Sequence, residues 1–460
     1  MEKDIKNLQI NTKEALKFNK DKIIMNKLVL ILKNKAKNFD IFELGNSFFL
    51  WYVLIFAILP AVVYLNSSFL FVSYKKSNFF FDFKTIFYLS AGILFFIIGY
   101  YFSLLKFHQK NRISDFIKKE WDYKKSYYIV AVLFILNLTV KIIRLVYGGY
   151  SHIKRSSVFT SSQFYSLIGL LDWLGAIVLA IAFINYFRFL KIGDKNYLKW
   201  RWIAWGLFVF EFFYGFFSLS RLAAITPVVV YLIVRHYLFE RNYIRMAAVL
   251  FTTFILIFPI LGFLRNPGTF YALNILNLEK NGQKMVIMPS SIGEFTSDSL
   301  LRRIGHPSVI IYNIFNKIDK FEYGRSFLNF FISLGPPRFI WKSKPVISGS
   351  GNEFGRQIGV LDSKDYTTSI GPSFIGDLYM NFGFTGIIIG MFIIGMLFRF
   401  MYDLFIKYSN YSSVGVMFYI LAWIQLIKGA EDWIAPVWAG LVKLFVIIII
   451  INYFLINRKK

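Results

Sequence analysis

The chain has no cysteine at any of its 460 positions. Disulfides, thiolate catalysis and cysteine-based metal sites are therefore excluded. Charge is scarce, at 17% of residues, and negative charge scarcer still. Asp and Glu together number 26 against 53 Lys and Arg, giving a formal net charge of +27. There is no low-complexity tract. There is also no internal repeat of the kind that marks many secondary transporters. Residues 1–47 are polar and Lys-rich, without the apolar core of a cleavable signal peptide. They are expected to form a solvated cytoplasmic arm.

What the chain does contain is apolar. Hydrophobic residues make up 56%, aromatics 20%, and Phe alone occurs 54 times. A soluble protein of this size cannot hide that much apolar surface. A chain both oily and basic is a membrane protein with basic cytoplasmic loops, a handler of anionic lipid-linked substrates, or both. Nucleic-acid binding is disfavoured, because the basic residues punctuate hydrophobic runs instead of clustering on a polar domain.

Apolar runs of membrane-spanning length fall near 48–66, 84–105, 126–147, 164–187, 200–217, 222–240, 246–264, 374–402, 413–428 and 436–456. The expected fold is therefore all-α: a polytopic helical bundle of about ten transmembrane helices with one large external loop containing short helices. The boundary between 200–217 and 222–240 is the least defined, since only Ser218, Leu219, Ser220 and Arg221 separate them. With the Lys-rich arm inside, every even-numbered connection is basic, as the positive-inside rule requires. Both termini are then cytoplasmic. The sequence divides into the arm 1–47, spans one to seven over 48–264, the external loop 265–373, and spans eight to ten over 374–460.

Ionisable residues within spans are costly and become functional candidates. Lys141, Arg144, Asp172, Glu211, Arg221, Asp377, Lys428, Glu431 and Asp432 mostly fall in the outer half, which suggests a polar cavity opening outward. Internal ion pairing is the competing explanation. In the loop, Arg265 follows the seventh span at a turn signal, and 290–318 reads at least partly as helix. Arg302 and Arg303 could clamp a diphosphate through charge-assisted bonds, with His306 one turn from Arg302. In Gly335-Pro336-Pro337-Arg338-Phe339-Ile340-Trp341-Lys342-Ser343-Lys344-Pro345, an extended chain would put Arg338, Lys342 and Lys344 on one side. Phe339 and Trp341 would then point the other way. Asp377, Tyr379 and Asn381 open the eighth span and are expected to face protein or a wet cavity.

The Pro-Pro-Arg-Phe-Ile-Trp-Lys-Ser-Lys-Pro run, followed by Gly-Asp-Leu-Tyr-Met-Asn-Phe-Gly, resembles the Wzy-type O-antigen and oligosaccharide repeat-unit polymerases. The likeness extends over roughly 220–400 and includes Ser218-Leu219-Ser220-Arg221. Many relatives have Glu where this chain has Asp377. The resemblance implies an integral-membrane glycosyltransferase, related to the C-type superfamily and to O-antigen ligases. Its substrates would be undecaprenyl-diphosphate-linked oligosaccharides, delivered by a flippase, with a chain-length regulator as a further partner and membrane lipids around it. A growing glycan would pass from its carrier to a new lipid-linked unit. It would act in the bacterial inner membrane, with the large loop periplasmic.

Displacing a diphosphate builds negative charge on the leaving group, which cations must stabilise. Arg221, Arg265, Arg338, Lys342 and Lys344 are the candidates for binding diphosphate or glycan, with Tyr379 and Asn381. Asp377, His306, Arg302 and Arg303 are the candidates for catalysis, Asp377 first as a base for the acceptor hydroxyl. No Asp-x-Asp pair or His/Cys cluster suggests a metal, so no cofactor is expected. The alternatives are an O-antigen ligase, a flippase or transporter for the same lipid-linked sugars, and a non-catalytic scaffold.

Overall fold

The computed structural model describes residues 40–58, 60–61, 82–102, 112–148, 171, 173–218, 220–240, parts of 245–261, 307–336, 340–341, 343–345, 351–361, 363 and 369–456. Arg265, Arg302, Arg303, His306, Arg338, Lys342 and Asp172 lie outside the described residues, as does most of the N-terminal arm.

The described residues form helices and no strands. In chain order they are α1, Leu44–Val53, continued by a π turn at Leu54–Ile58; α2, Phe83–Tyr101; α3, Arg112–Ile117; α4, Tyr123–Gly148; α5, Leu174–Ile192; α6, Asn196–Phe217; and α7, Arg221–Leu238. After 307–317, which is α8, come α9, Arg325–Leu334; α10, Gly351–Gln357; α11, Ser373–Tyr402; α12, Ser413–Gly429; and α13, Ile434–Leu455. Among the described residues six spans are long and apolar enough to cross a membrane, with Leu44–Ile58 and Ser413–Gly429 shorter. The chain is a multi-pass membrane protein.

Local chemistry explains several boundaries. Asp82, Ser220 and Ser412 each accept a hydrogen bond from a backbone N–H three residues on, which caps α2, α7 and α12. The Ser220 cap settles the least defined boundary: the chain is extended there (φ −96°, ψ 104°), so α6 and α7 are separate helices. Gly193 ends α5 in the left-handed conformation (φ 76°) that glycine adopts without strain.

The eighth span departs from its sequence reading. It is not one helix, because Phe382 (φ −138°) and Gly383 (φ 63°, ψ −149°) break α11 into limbs 373–381 and 384–402. In a straight helix residues 378 and 390 would lie about 18 Å apart along the axis. Here a Cβ on Gly390 would stand 2.1 Å from the Leu378 side chain, and one on Gly386 2.4 Å from the Leu378 carbonyl oxygen. The second limb therefore folds back over the first.

α5 and α12 are buried on nearly all sides and form the centre of the bundle. α2 runs along α11 at close range. A Cβ on Gly99 would lie 2.0 Å from the Phe392 carbonyl oxygen, and one on Gly395 2.2 Å from that of Phe96. Small residues permit this backbone approach, as membrane helix pairs require. At the far end of α11 the Asp40 carboxylate accepts from Tyr237 Oη (3.0 Å) and Tyr402 Oη (3.3 Å) and lies 2.9 Å from His236 Nε2. Burial would raise this carboxyl, but the bonds from His236, Tyr237 and the Phe42 N–H hold it below the ordinary aspartate value.

Gly99→Val and Gly395→Val are expected to push α2 off α11 and destabilise the protein by about 1–3 kcal/mol. Thermal unfolding in detergent checks this; an unchanged midpoint for both variants would refute the close crossing.

Candidate functional site

The first limb of α11 ends at Asn381 and leaves carbonyls without intrahelical partners. The 322–324 turn supplies the donors. Glu322 N–H donates to Met380 O (2.9 Å) and Tyr323 N–H to Asn381 O (3.0 Å). The Gly324 N–H donates to Asn381 Oδ1 (3.0 Å). Tyr323 (φ 47°) and Gly324 (φ 86°) are both left-handed, and these successive N–H groups meet the helix end.

Asp377 stands one turn before Asn381 with no exposed surface. Its Oδ1 accepts from Ser326 Oγ (2.8 Å) and Asn381 Nδ2 (2.9 Å), and its Oδ2 from the Ile434 N–H (2.9 Å). Trp433, at the N-cap of α13, supplies no side-chain cap. Asp377 takes that place from another helix, where a carboxylate also meets the positive end of the helix dipole. Asn381 Nδ2 further donates to Ser326 Oγ (2.6 Å) and to Asp377 O (2.8 Å). One polar clasp thus joins α9, the first limb of α11 and the start of α13.

α9 is amphipathic with its polar side inward. Ser326 and Asn329 are buried, while Leu328 and Phe331 are exposed. That arrangement would be unfavourable in water and suits a helix facing lipid. Beside the clasp lies an apolar cavity of about 700 Å³. Phe327, Phe330 and Phe331 of α9, Ile389 and Ile393 of α11 and Trp438 of α13 are among its walls.

The candidates divide clearly. Asp377 and Asn381 are brought together. Tyr379 points elsewhere, packing on Phe315 (4.9 Å between ring centroids), Phe321 and Tyr88. Arg221 is the first residue of α7. Lys344 closes the end of α9, its Nζ donating to Gly335 O (3.0 Å) and Pro336 O (3.1 Å). The expected alternation of Lys344 and Trp341 is corrected. The chain turns there, Lys344 N–H donating to Trp341 O (3.1 Å), and this brings the ammonium within 5.9 Å of the Trp341 ring centroid. α8 is described from Pro307 onward, and a proline is well placed at the first turn of a helix. Lys141 pairs with Glu211, which also accepts from Asn137 Nδ2 (2.7 Å). These three are held by internal pairing between α4 and α6.

Two residues escaped the sequence reading. Ser326 lies 51 residues from Asp377, and no local spacing signals the contact. Glu322 is an exposed carboxylate beside the clasp. Partial burial raises it above the ordinary glutamate value of 4.5, with the Arg325 cation opposing. Its placement in a Lys/Glu-rich turn before α9 gave only a weak signal.

Ser326→Ala is expected to cost about 1 kcal/mol. Asp377→Leu, which removes the acceptor shared by Ser326 Oγ, Asn381 Nδ2 and the Ile434 N–H, is expected to cost about 3 kcal/mol or more. Unfolding midpoints of the two variants test the order; equal losses would contradict a clasp centred on Asp377.

No curated protein and no solved structure matches the chain. A family model does match, described as O-antigen polysaccharide polymerase Wzy, over residues 305–460. That range holds the clasp, Glu322 and every wall of the apolar cavity named above. The C-terminal third of this chain is therefore similar to the O-antigen polysaccharide polymerase Wzy family model.

Proposed function

We propose that the protein polymerises undecaprenyl-diphosphate-linked oligosaccharide repeat units at the outer face of the bacterial inner membrane, with both termini cytoplasmic. The growing glycan leaves its carrier and joins a hydroxyl of a new lipid-linked unit. The observation that carries this reading is the family match over 305–460, because one matched segment contains both a polar cluster and a lateral apolar cavity. A substrate with a sugar diphosphate head and a long apolar tail needs both surfaces side by side.

The division of labour follows from hydrogen-bond capacity. Both Asp377 oxygens already accept from protein donors. We therefore assign Asp377 and Asn381 to positioning and Glu322 to orienting the acceptor hydroxyl. A carboxylate raised above its ordinary value is the better proton acceptor near neutral pH. Arg302, Arg303 and Arg338, with Arg265 and Lys342, are assigned to the departing diphosphate. Arg221 and Lys344 are assigned to binding the same substrate, and His306 is retained as a second proton-transfer candidate. The reaction is assigned as metal-independent.

Purified protein given lipid-linked repeat units alone should produce a glycan ladder. A ligase or flippase would give none, and loss of the ladder in chelator with return in a divalent ion would overturn metal independence. Glu322→Gln should lower the rate by about 10²–10⁴-fold. Protonating Glu322 removes the acceptor. The wild-type rate should therefore fall as pH drops through a value above 4.5, the ordinary glutamate value, and that limb should vanish in Glu322→Gln. An unchanged pH profile in the variant would reject the assignment.

A further inference from the structure

The end of the bundle opposite Asp377 holds a second cavity. The second limb of α11, 384–402, covers about 28 Å, and Asn410 and Tyr411 follow it through the π turn Asp403–Tyr408. There a cavity of about 520 Å³ opens between the ends of α5 and α7 and the 410–411 turn. Arg188, Lys191 and Glu120 contribute its charges, and His236 forms part of its floor.

The cavity is held in shape by its own polar groups. Arg188 forms an ion pair with Glu120 and donates from Nη2 to the Tyr411 carbonyl (2.7 Å). Glu120 also accepts from Ser413 Oγ (2.7 Å), which ties it to the start of α12. Asn410 (φ 51°) and Tyr411 (φ 57°) are both left-handed. Asparagine tolerates this conformation, but tyrosine does so only under strain. Such strain persists where surrounding contacts enforce it, and it collects at ligand-binding sites.

The charges do not cancel. Glu120 neutralises Arg188, and Lys191 remains as one further cation, exposed at the last turn of α5. Apolar surface adjoins it: Ile192 is 77% exposed and Phe239 46%, and both line the cavity. An occupant must therefore be singly anionic at one end and apolar beside it. α5 is a membrane-length helix, so Lys191 stands where its apolar stretch stops. Lys and Arg side chains lay apolar stems along lipid and hold their charge at the headgroup level.

We infer that this cavity binds the headgroup phosphodiester of an anionic phospholipid, with Lys191 as its charge partner and the Arg188–Glu120 pair as its wall. The site is separate from the Asp377 clasp and does not depend on the polymerase reading. It gives the membrane a specific foothold on the face away from the polar site. The same phosphate chemistry could come from a soluble anion, and the two sources are separable by competition.

The test uses full-length protein exchanged into bilayer discs of equimolar phosphatidylglycerol and phosphatidylcholine, followed by native mass spectrometry of retained lipid. Wild type should retain phosphatidylglycerol about fivefold over phosphatidylcholine, the selectivity one cation at a membrane surface provides. Lys191→Gln and Lys191→Glu should bring the two lipids to parity. Lys199→Glu, a charge change at an exposed α6 residue outside the cavity, should leave the preference intact. Equal retention of both lipids by wild type, or equal effects of the Lys191 and Lys199 changes, would overturn the proposal. Displacement of the lipid by excess inorganic phosphate would reassign the cavity to a soluble anion and also overturn it.

Discussion

One buried carboxylate decides how α9, the first limb of α11 and the start of α13 are assembled. Asp377 has no exposed surface, and a carboxylate without compensation is expensive at membrane depth. It persists because three donors from three chain segments converge on it: Ser326, Asn381 and the Ile434 N–H. Each segment depends on the others in turn. α13 lacks a side-chain cap of its own, the first limb of α11 ends in open carbonyls, and α9 turns its polar side away from lipid. The clasp answers all three needs at once.

Geometry beyond the clasp follows from this. Because the first limb of α11 stops at Asn381, the chain can reverse at Gly383 and send the second limb back past Leu378. The reversal and α9 then form facing walls, and the apolar cavity lies between them with Glu322 at the turn before α9. In the proposed function, that adjacency is what would serve a head-and-tail substrate. At the opposite end, the Asp40 network and the Arg188–Glu120 pair fasten the helix ends, and the Asp403–Tyr408 π turn leads into the strained 410–411 turn.

Much of this was legible in the sequence, and the limits have physical causes. Length and apolarity gave α2, α4, α5, α7 and α13, because a helix in lipid must satisfy its own backbone. The one-turn spacing of Asp377 and Asn381 was visible, as was their preference for protein over lipid. The break at Phe382–Gly383 was hidden, because the residues after Gly383 continue the apolar run that a single span would show. Ser326 was hidden for a different reason: its partner is 51 residues away, and sequence spacing reports only local neighbours. The turn at Trp341–Lys344 defeated an alternation argument that holds only for extended backbone. Tyr379 shows the same limit, since its place in a polar motif did not reveal that aromatic packing claims it.

Asp377 ties α9 to the first limb of α11 and the start of α13, and so fixes how far α9 stands from the second limb across the cavity. The absence of native cysteine makes a direct distance measurement possible. Spin labels at Leu328→Cys on α9 and Ile389→Cys on the second limb of α11, both exposed positions, report the separation of the two helices by electron spin resonance in bilayer discs. The account predicts one narrow distance distribution in the Asp377 protein and a broader, longer one when Asp377→Leu is added. The same narrow distribution in both proteins would contradict it.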